Sequence, residues 1–314
     1  MNFKIEKYQP QYKTQWDNFV GKAKNATFLF YRDFMEYHND RFEDFSLMVF
    51  KEEKLIAILP ANKKEDTIYS HQGLTYGGLI FEKDLGIEFL ENIFQEIKNY
   101  FKTEEVKNAI IKIIPKFYQE SYSSAVEYLL FKNKARLIRR DLNYVIDLRE
   151  PLNVHKSKLK FEKREIWNQL KMIKSESFTS FWNDLLIPVL KEQYNSSPVH
   201  TTEEITLLAQ HFPQNILQYN VWLEGKIVAG MTLFCSGKVI KSQYGVVNVI
   251  GKEYRALDFL YISLLRKFKE ERYCFFDMGT TNENDGYTYN KGLSKYKEEF
   301  GASPVNLDQY ELSL

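Results

Sequence analysis

The chain has 314 residues, which is long for one ordinary hydrophobic core and suited to two domains. Hydrophobic residues make up 44% of it and aromatic residues 16%, so extensive disorder is excluded. Its 43 basic and 42 acidic residues leave a formal net charge of +1. No overall field draws the protein to DNA or to anionic lipid, and we expect any polyanion to bind a local patch.

The N-terminus and the two cysteines bear on location. The stretch MNFKIEKYQPQYKTQW has no apolar core for a signal peptide, and no segment approaches ~18 consecutive apolar residues. Cys235 and Cys274 each lie in an apolar run without CxxC spacing or a neighbouring histidine. The sequence therefore predicts a cytoplasmic protein with no transmembrane segment, reduced buried thiols and no metal.

The first half of the chain begins with a hairpin signal. FSLMVF, from Phe45, and LIAILP, from Leu55, flank the polar KEEK, and a third strand is expected near Thr67 to Ser70. After HQGLTYGG, apolar residues recur at helical spacing from Ile87 to Phe101. AIIKII, from Ala109, then predicts a strand that Pro115 ends.

The second half repeats this order. Residues 220–223 and 227–234 flank EGK as a second hairpin, VIKSQYGVV predicts a third strand, and residues 256–269 form an apolar-periodic helix. CFFDMG is the strand that follows. Two copies of one order predict an α/β protein of two domains at 1–150 and 151–314, each a mixed, mainly antiparallel sheet flanked by helices.

The segment between the copies differs from both. DLNYVIDL, from Asp141, alternates like an edge or bridging strand. Residues 153–212 are expected to be helical, with a capping box at Thr201 and Glu204 and a buried face of Leu207, Leu208 and Phe212. The basic run KSKLKFEKR there predicts a charged helix face, with tRNA or a lipid surface as the alternative ligand.

Asp277 follows a short aromatic strand and precedes a loop of Gly, Thr and Asn. Ligands of open sheets gather where strand ends splay apart, so this position predicts a carboxylate facing a crevice. The alternative interpretation is that Asp277 and Asn282 only shape a turn through side-chain bonds to the backbone, with Gly279 supplying a positive φ.

The second half also resembles a known family. From YNVWLEGKIVAGMTLF through CFFDMGTT to NKGLSKYKEEFGA, it is similar to the FemAB/FemX-type branch of the GNAT acyltransferase superfamily. That branch shows an F-D-x-G strand end and a closing G-L-x-x-[FY]-K-x-x-F-G in this order, on tandem GNAT domains. The resemblance covers residues 219–302 well and the first half only through its repeated architecture.

The resemblance implies an acyltransferase that passes an acyl or aminoacyl group to a primary amine of a cell-envelope or polysaccharide precursor. The donor would be acyl-CoA or aminoacyl-tRNA, which makes tRNA an expected alternative partner. Asp277 is the catalytic candidate. The candidate substrate-binding residues are His71, Tyr76, Tyr244, Arg255, Thr280, Asn282, Lys291 and Lys297.

Two of these candidates have competing explanations. Lys291, Lys295 and Lys297 are consistent with a solvated helix face, whereas the resemblance makes Lys297 the residue that meets a donor phosphate or nucleic acid. His71 begins either a substrate-binding wall or a tight hairpin connection in which its ring is hydrogen-bonded locally.

One departure from the superfamily separates the possible donors. CoA-dependent members carry a Q/R-x-x-G-x-G/A pyrophosphate loop, and here that place reads VNVIGKEYRALDF. Gly251 is present, but no second glycine or alanine follows at the motif's spacing. Two rivals remain: a CoA-dependent N-acetyltransferase acting on an amino sugar or small amine, and a non-catalytic binding module that retains the fold.

Overall fold

The computed structural model describes residues 3–314. They divide into two compact units. The first contains residues up to Asp141 together with 284–287 and 306–314, and the second contains residues 142–283 and 288–305. Two stretches from late in the chain therefore belong to the unit that begins it.

The strands, numbered in chain order, are β1 (Phe3–Lys7), β2 (Glu43–Asp44), β3 (Leu47–Lys51), β4 (Lys54–Leu59), β5 (Asn62–Lys64), β6 (Thr67–Tyr69), β7 (Ile80–Phe81), β8 (Asn108–Lys112), β9 (Arg136–Asp147), β10 (Lys171–Ser175), β11 (Ile216–Leu223), β12 (Lys226–Ser236), β13 (Val239–Val247), β14 (Phe275–Thr280), β15 (Asn282–Glu283), β16 (Thr288–Tyr289) and β17 (Ser303–Ser313).

The α-helices are α1 (Lys13–Val20), α2 (Arg32–Met35), α3 (Ile87–Thr103), α4 (Ala125–Lys132), α5 (Lys156–Leu159), α6 (Thr179–Phe181), α7 (Ile187–Tyr194), α8 (Thr202–His211), α9 (Val249–Glu253), α10 (Ala256–Glu270) and α11 (Lys291–Glu298). A π-helical turn, Trp182–Leu186, joins α6 to α7. Short 3-10 turns occupy Pro10–Tyr12, Phe28–Phe30, Glu36–His38, Lys116–Tyr118, Glu165–Gln169 and Asn284–Gly286.

The first unit contains two groups of strands. β1, β3, β4 and β7 pair in that order, all antiparallel. β2, β5, β6 and β8 form the other group, in which β6 and β8 are parallel and the end of β17 pairs antiparallel with β8. Helix α3 is amphipathic and buries its apolar face, including Ile93 and Phe101, against these strands.

The second unit is built on one sheet in the order β10, β11, β12, β13, β14, followed by the second half of β9. All neighbours are antiparallel except β13 and β14, which run parallel. Along β11 to β14, apolar side chains at alternating positions pack against α10. The core there includes Met231, Leu233, Ile240 and Phe276. The opposite face of this sheet carries Lys241, Tyr244 and Asp277.

Most of the predicted elements are confirmed, including both hairpins, helices α3 and α10, and the mixed, mainly antiparallel sheets. The capping box of α8 is present: the Thr201 hydroxyl accepts the Glu204 N–H, and the Glu204 carboxylate accepts the Thr201 N–H. One apolar detail of this helix is wrong. Leu207 is exposed rather than buried, and Ile205 takes its place in the core.

The helical prediction for residues 153–212 needs a larger correction. The segment contains strand β10, which pairs with β11, and the basic run forms only the four-residue helix α5. Its Lys158 is buried, so that run is not a solvated face throughout. Strand β14 also continues to Thr280 instead of ending at Asp277, because Gly279 adopts a φ of 78° that lets the chain turn and resume pairing with β9.

Candidate functional site

The parallel pairing of β13 and β14 stops early. Three pairs join the strands, and the last is Lys241 with Asp277. Beyond that point β13 stays paired with β12 up to Val247, while β14 pairs with β9 through Thr280 and Asn143. β13 and β14 therefore separate beyond Lys241 and Asp277, and a ligand at this separation stays a prediction.

Asp277 lies at this separation and is 2% exposed. Its Oδ1 accepts hydrogen bonds from Asn143 Nδ2 at 2.8 Å and from the Gly279 N–H at 2.7 Å. Its Oδ2 lies 3.7 Å from Lys241 Nζ. Asp277 thus combines the turn-shaping role, through Gly279, with a charged contact on the sheet face opposite α10.

Lys297 reaches the same place from α11. Its Nζ donates to the carbonyl oxygens of Gly279, at 2.8 Å, and Thr280, at 2.9 Å. The side chain is buried, and burial lowers the pKa of Lys297 to about 8, with the Asp277 charge opposing that shift. These two carbonyls hold the ammonium group of Lys297, and its contact with a donor phosphate or nucleic acid stays a prediction.

The burial of the Lys297 ammonium group should make the stability of the protein depend on pH. The pKa of Lys297 falls from 10.5 to about 8 on folding, so the unfolded chain binds the proton more tightly. The free energy of unfolding should therefore rise as the pH increases from about 8 to 10.5. Below about pH 8 the buried ammonium group destabilises the folded protein by its full amount. Lys297→Met removes this dependence.

We expect the difference in unfolding free energy, wild type minus Lys297→Met, to increase by about 2 kcal/mol between pH 7.5 and 9.5. Urea unfolding at the two pH values measures it. Lys226→Met, at an exposed position of the second hairpin, is the matched control and should show no such change. A pH-independent difference for Lys297→Met would refute the buried ammonium.

Tyr244 lies further along β13 on the same sheet face. Its hydroxyl is 2.6 Å from His200 Nδ1, and its ring packs edge-on against Trp182 at 4.9 Å. Trp182 Nε1 in turn donates to Thr232 Oγ1 at 3.1 Å. Burial raises the pKa of Tyr244, so its hydroxyl holds its proton and is suited to donating it to His200.

Arg255 lies elsewhere in the second unit, between α9 and α10, with a φ of 54°. Its Nε donates to Asp258 Oδ2 at 2.7 Å. Asp258 Oδ1 accepts from Lys158 Nζ at 3.2 Å and from the Tyr296 hydroxyl at 2.9 Å. These residues line a groove of about 510 Å³.

The remaining candidates of the second unit have structural contacts or lie in solvent. The exposed Thr280 presents its carbonyl to Lys297. Asn282 Oδ1 accepts the N–H of Leu142 on β9, a structural contact outside the turn itself. Lys291 is exposed at the start of α11 and does not line the groove.

His71 and Tyr76 belong to the first unit. His71 is 4% exposed, has a φ of 65°, and stacks on His38 with ring centroids 5.4 Å apart. Its Nδ1 has no hydrogen-bond partner among residues 3–314, so the prediction of a locally bonded ring fails for that nitrogen. Burial lowers the pKa of His71 to about 3, and Tyr76 donates to Thr27 Oγ1 at 3.3 Å.

Sequence reasoning missed Asn143, Lys241, Lys158 and Asp258. Lys241 interrupts the apolar start of VIKSQYGVV, and Asp258 stands at the position i+3 from Arg255 within an apolar helix. Both are charges in apolar surroundings, which is a signal of pairing that the sequence does contain. Asn143 and Lys158 carry no comparable signal.

Two general features complete the description. Cys235 and Cys274 are free thiols, and burial raises the pKa of Cys235 to about 12. Over residues 3–314, no helix is long and apolar enough to cross a membrane, and no group of three or more His, Cys, Asp or Glu side chains is placed to hold a metal ion.

The chain is similar in fold to several solved structures, although its sequence matches no family model. No family model and no curated protein sequence matches the chain. Among solved structures, FemX superposes with a TM-score of 0.71 at 11% identity, over 99% of this chain and 97% of FemX. The predicted resemblance to the FemX-like branch is therefore confirmed at the level of the fold.

Two further structures agree. A tandem GNAT protein from the clavulanic acid biosynthesis pathway gives a TM-score of 0.57 at 9% identity, covering 99% of this chain and 98% of its own. The C-terminal domain of a putative lysylphosphatidylglycerol synthetase from Agrobacterium fabrum gives 0.58 at 12% identity, covering 82% and 81%. The chain thus has a tandem GNAT-like α/β fold.

Proposed function

We propose that the protein is an acyltransferase that moves an acyl or aminoacyl group onto a primary amine of a cell-envelope or polysaccharide precursor. The observation that carries this proposal is the cluster of the buried Asp277 and Lys297 with the half-buried Lys241 at the point where β13 and β14 separate. We include a cytoplasmic location in the proposal, because charged tRNA and acyl-CoA are cytoplasmic donors.

The chemistry needs two things from the site. An amine attacks a carbonyl only in its neutral form, so a nearby group must accept its proton, and the tetrahedral oxyanion must be stabilised by donors or cations. In our proposal Asp277 orients the amine and accepts its proton through Oδ2, the carboxylate oxygen that lies 3.7 Å from Lys241 Nζ.

The two lysines would serve the other requirement. Lys241 and Lys297 bring positive charge to the carboxylate, and in our proposal backbone N–H groups beyond the Lys241–Asp277 pair are the donors for the oxyanion. Attack by the amine is direct, so no covalent enzyme intermediate is required: the new C–N bond forms, the donor's C–O or C–S bond breaks, and the proton taken by Asp277 passes to the leaving hydroxyl or thiol. Cys235, on β12, is poorly suited to act as a nucleophile, because burial raises the pKa of its thiol to about 12.

The structural neighbours support both donor classes. One is the C-terminal domain of a putative lysylphosphatidylglycerol synthetase, a name that contains an aminoacyl group, and the tandem GNAT protein is described as a structure without AcCoA. We favour an aminoacyl donor carried by tRNA, because the pyrophosphate loop motif is incomplete at Gly251. An acyl-CoA donor with an amino sugar or small amine as acceptor is the second candidate.

A transfer assay decides between these donors. The protein is incubated with labelled aminoacyl-tRNA or acyl-CoA and an amine-bearing envelope precursor, and amide product is quantified at two salt concentrations. With tRNA, apparent affinity should fall with salt by a slope of roughly −0.7 per phosphate contact, whereas with CoA it should vary far less.

Each outcome of the assay has a clear meaning. Product from aminoacyl-tRNA alone supports the favoured donor, and product from acyl-CoA alone replaces it with the second candidate. Acceptor binding without product from either donor would contradict the transferase and indicate a non-catalytic binding module that retains the fold.

A further inference from the structure

Two buried side-chain oxygens of the second unit lack a hydrogen-bond partner among residues 3–314. They are Asn143 Oδ1 and Gln243 Oε1. Both lie on strands that border the separation of β13 and β14, since Gln243 comes two residues after Lys241 on β13 and Asn143 lies on β9 opposite Thr280. Both atoms are acceptors, so the partners that would satisfy them are donors. Because an unsatisfied buried acceptor destabilises a fold, this pair favours a ligand that brings N–H or O–H groups.

Asn143 is the member of this pair that contacts Asp277. It is 0% exposed, and its Nδ2 donates to Asp277 Oδ1 at 2.8 Å. This bond fixes the orientation of the amide group, because turning the amide over would place its oxygen against the carboxylate. Asn143 Oδ1 is therefore held close to the group that the proposed function makes the proton acceptor, and rotation of the amide cannot give it a partner.

Lys241 is the side chain past which a ligand can reach this place. Its Nζ lies 3.7 Å from Asp277 Oδ2, which is longer than a hydrogen bond, and its side chain is 14% exposed. A lysine has a long and flexible side chain, so Lys241 can move away without breaking a direct hydrogen bond to Asp277. Beyond this residue β13 and β14 separate. Movement of Lys241 therefore opens a path to Asp277 Oδ2 and Asn143 Oδ1.

The charges around Asp277 favour a neutral amine over an ammonium group. Lys241 and Lys297 both interact electrostatically with this one carboxylate. A substrate ammonium group would therefore meet two positive charges and only one negative charge. A neutral primary amine brings N–H donors without that repulsion, and only the neutral form attacks a carbonyl.

We infer that Asn143 is a specificity-determining residue, which selects a primary amine by binding the N–H group that the amine keeps. The inference rests on the proposed function for the presence of an amine acceptor. A neutral primary amine has two N–H groups. One proton is lost to Asp277 as the new C–N bond forms, and the other stays on the nitrogen of the amide product, where Asn143 Oδ1 accepts its hydrogen bond. A secondary amine has only the N–H group that is lost, so it leaves the Asn143 oxygen without a donor.

Transfer to n-butylamine and to N-methylbutylamine tests the inference. The kcat/KM for each amine is measured in the wild type and in Asn143→Leu, which has a similar side-chain shape and no hydrogen-bonding group. The methyl group on nitrogen adds bulk for both proteins, so the informative quantity is the change in the ratio of the two values. We expect the preference for the primary amine to fall roughly tenfold in Asn143→Leu, since one hydrogen bond is lost. An unchanged ratio would overturn the inference and leave the proposed transferase intact.

Asn25→Leu is the matched control for this variant. Asn25 belongs to the first unit and is 3% exposed, and its amide donates to the Leu79 carbonyl at 2.9 Å and accepts the Phe81 N–H at 3.2 Å. The substitution should lower stability, because it removes a buried amide with two partners, and it should leave the preference between the two amines unchanged. Equal loss of preference in Asn25→Leu would attribute the effect to destabilisation and overturn the specific role of Asn143.

A binding measurement on the wild type needs no variant and separates the inference from the proposed function. NMR spectra of the whole protein labelled with ¹⁵N-asparagine follow the side-chain amide of Asn143 during titration with n-butylamine and with butyl methyl ether, which has no N–H group. We expect the amine to shift this signal and the ether to leave it in place. That result without product from any donor would contradict the proposed function and retain the amine site. Equal shifts, or no shift with either compound, would overturn the inference.

Discussion

Asp277→Asn is expected to lower kcat/KM for amide formation roughly 100-fold or more, in the range of a lost general base. The substitution keeps the shape of the side chain, and the amide oxygen can still accept from Asn143 and the Gly279 N–H. It removes the negative charge beside Lys241 and Lys297, so the pKa of Lys297 should fall further. Steady-state transfer kinetics, with the better donor, measure the effect.

Asp147→Asn is the matched control for this variant. Asp147 lies on β9, pairs with Arg149 at the surface, and is opposite Phe275 in the sheet. Its replacement should change the rate less than twofold, while both variants keep a cooperative thermal transition. An Asp277→Asn enzyme with wild-type kcat/KM would remove Asp277 from the chemistry and leave it only its contact with Gly279.

Gly251→Ala is expected to destabilise the protein by about 2 to 3 kcal/mol, the cost of overpacking a close contact. The added methyl group would overlap the Val228 carbonyl oxygen and lie 2.6 Å from Val247 Cγ2. Backbone cannot yield as a flexible side chain does, so α9 must move away from β12. Urea unfolding of the variant measures the loss.

Gly86→Ala provides the control for glycine substitution itself. Gly86 precedes α3 at a φ of −72°, and an added Cβ there has no atom within 4 Å. Its effect should stay within about 0.5 kcal/mol, as for ordinary surface changes. If Gly251→Ala were equally mild, the packing explanation for this glycine would be wrong, and close approach of a ligand would explain it better.

The elements that could be predicted from sequence are those whose apolar period is unbroken. Helix α3 repeats its apolar residues along its whole length, and its hydrophobic face is the one the structure buries. The hairpins at β3–β4 and β11–β12 have strong strand formers on both sides of a polar turn. Local preference and tertiary packing agree in these segments, which is why the period alone suffices.

The segment around β10 shows where the same reasoning fails. KMIKS has three polar residues in five and no strand-forming excess, so nothing local distinguishes it from the helices nearby. It becomes a strand because β11 offers an edge with which Lys171 to Ser175 pair. Lys171 pairs with Trp222 and Ser175 pairs with Gln218, both more than 40 positions away in the chain. Local sequence patterns carry no information about pairing over such distances.

Some residues of the candidate site can be found from the sequence, and others are brought to it only by the fold. Asp277 could be proposed from sequence because an acidic residue after CFF stands out. Asn143 and Lys241, which contact it, come from other strands, and Lys158 reaches Asp258 from a hundred residues earlier in the chain. Lys297 was found through the closing motif, but its burial and its two carbonyl partners depend on the turn at Gly279 and could be known only from the folded structure.

The discontinuous first unit has a consequence for biosynthesis. The end of β17, from Gln309 to Ser313, supplies the neighbour of β8, and Leu312 is part of that unit's core. A ribosome therefore delivers this strand only after the whole second unit has been translated. Until then β8 has an open edge on that side, and the nascent N-terminal half must be kept from pairing with other chains.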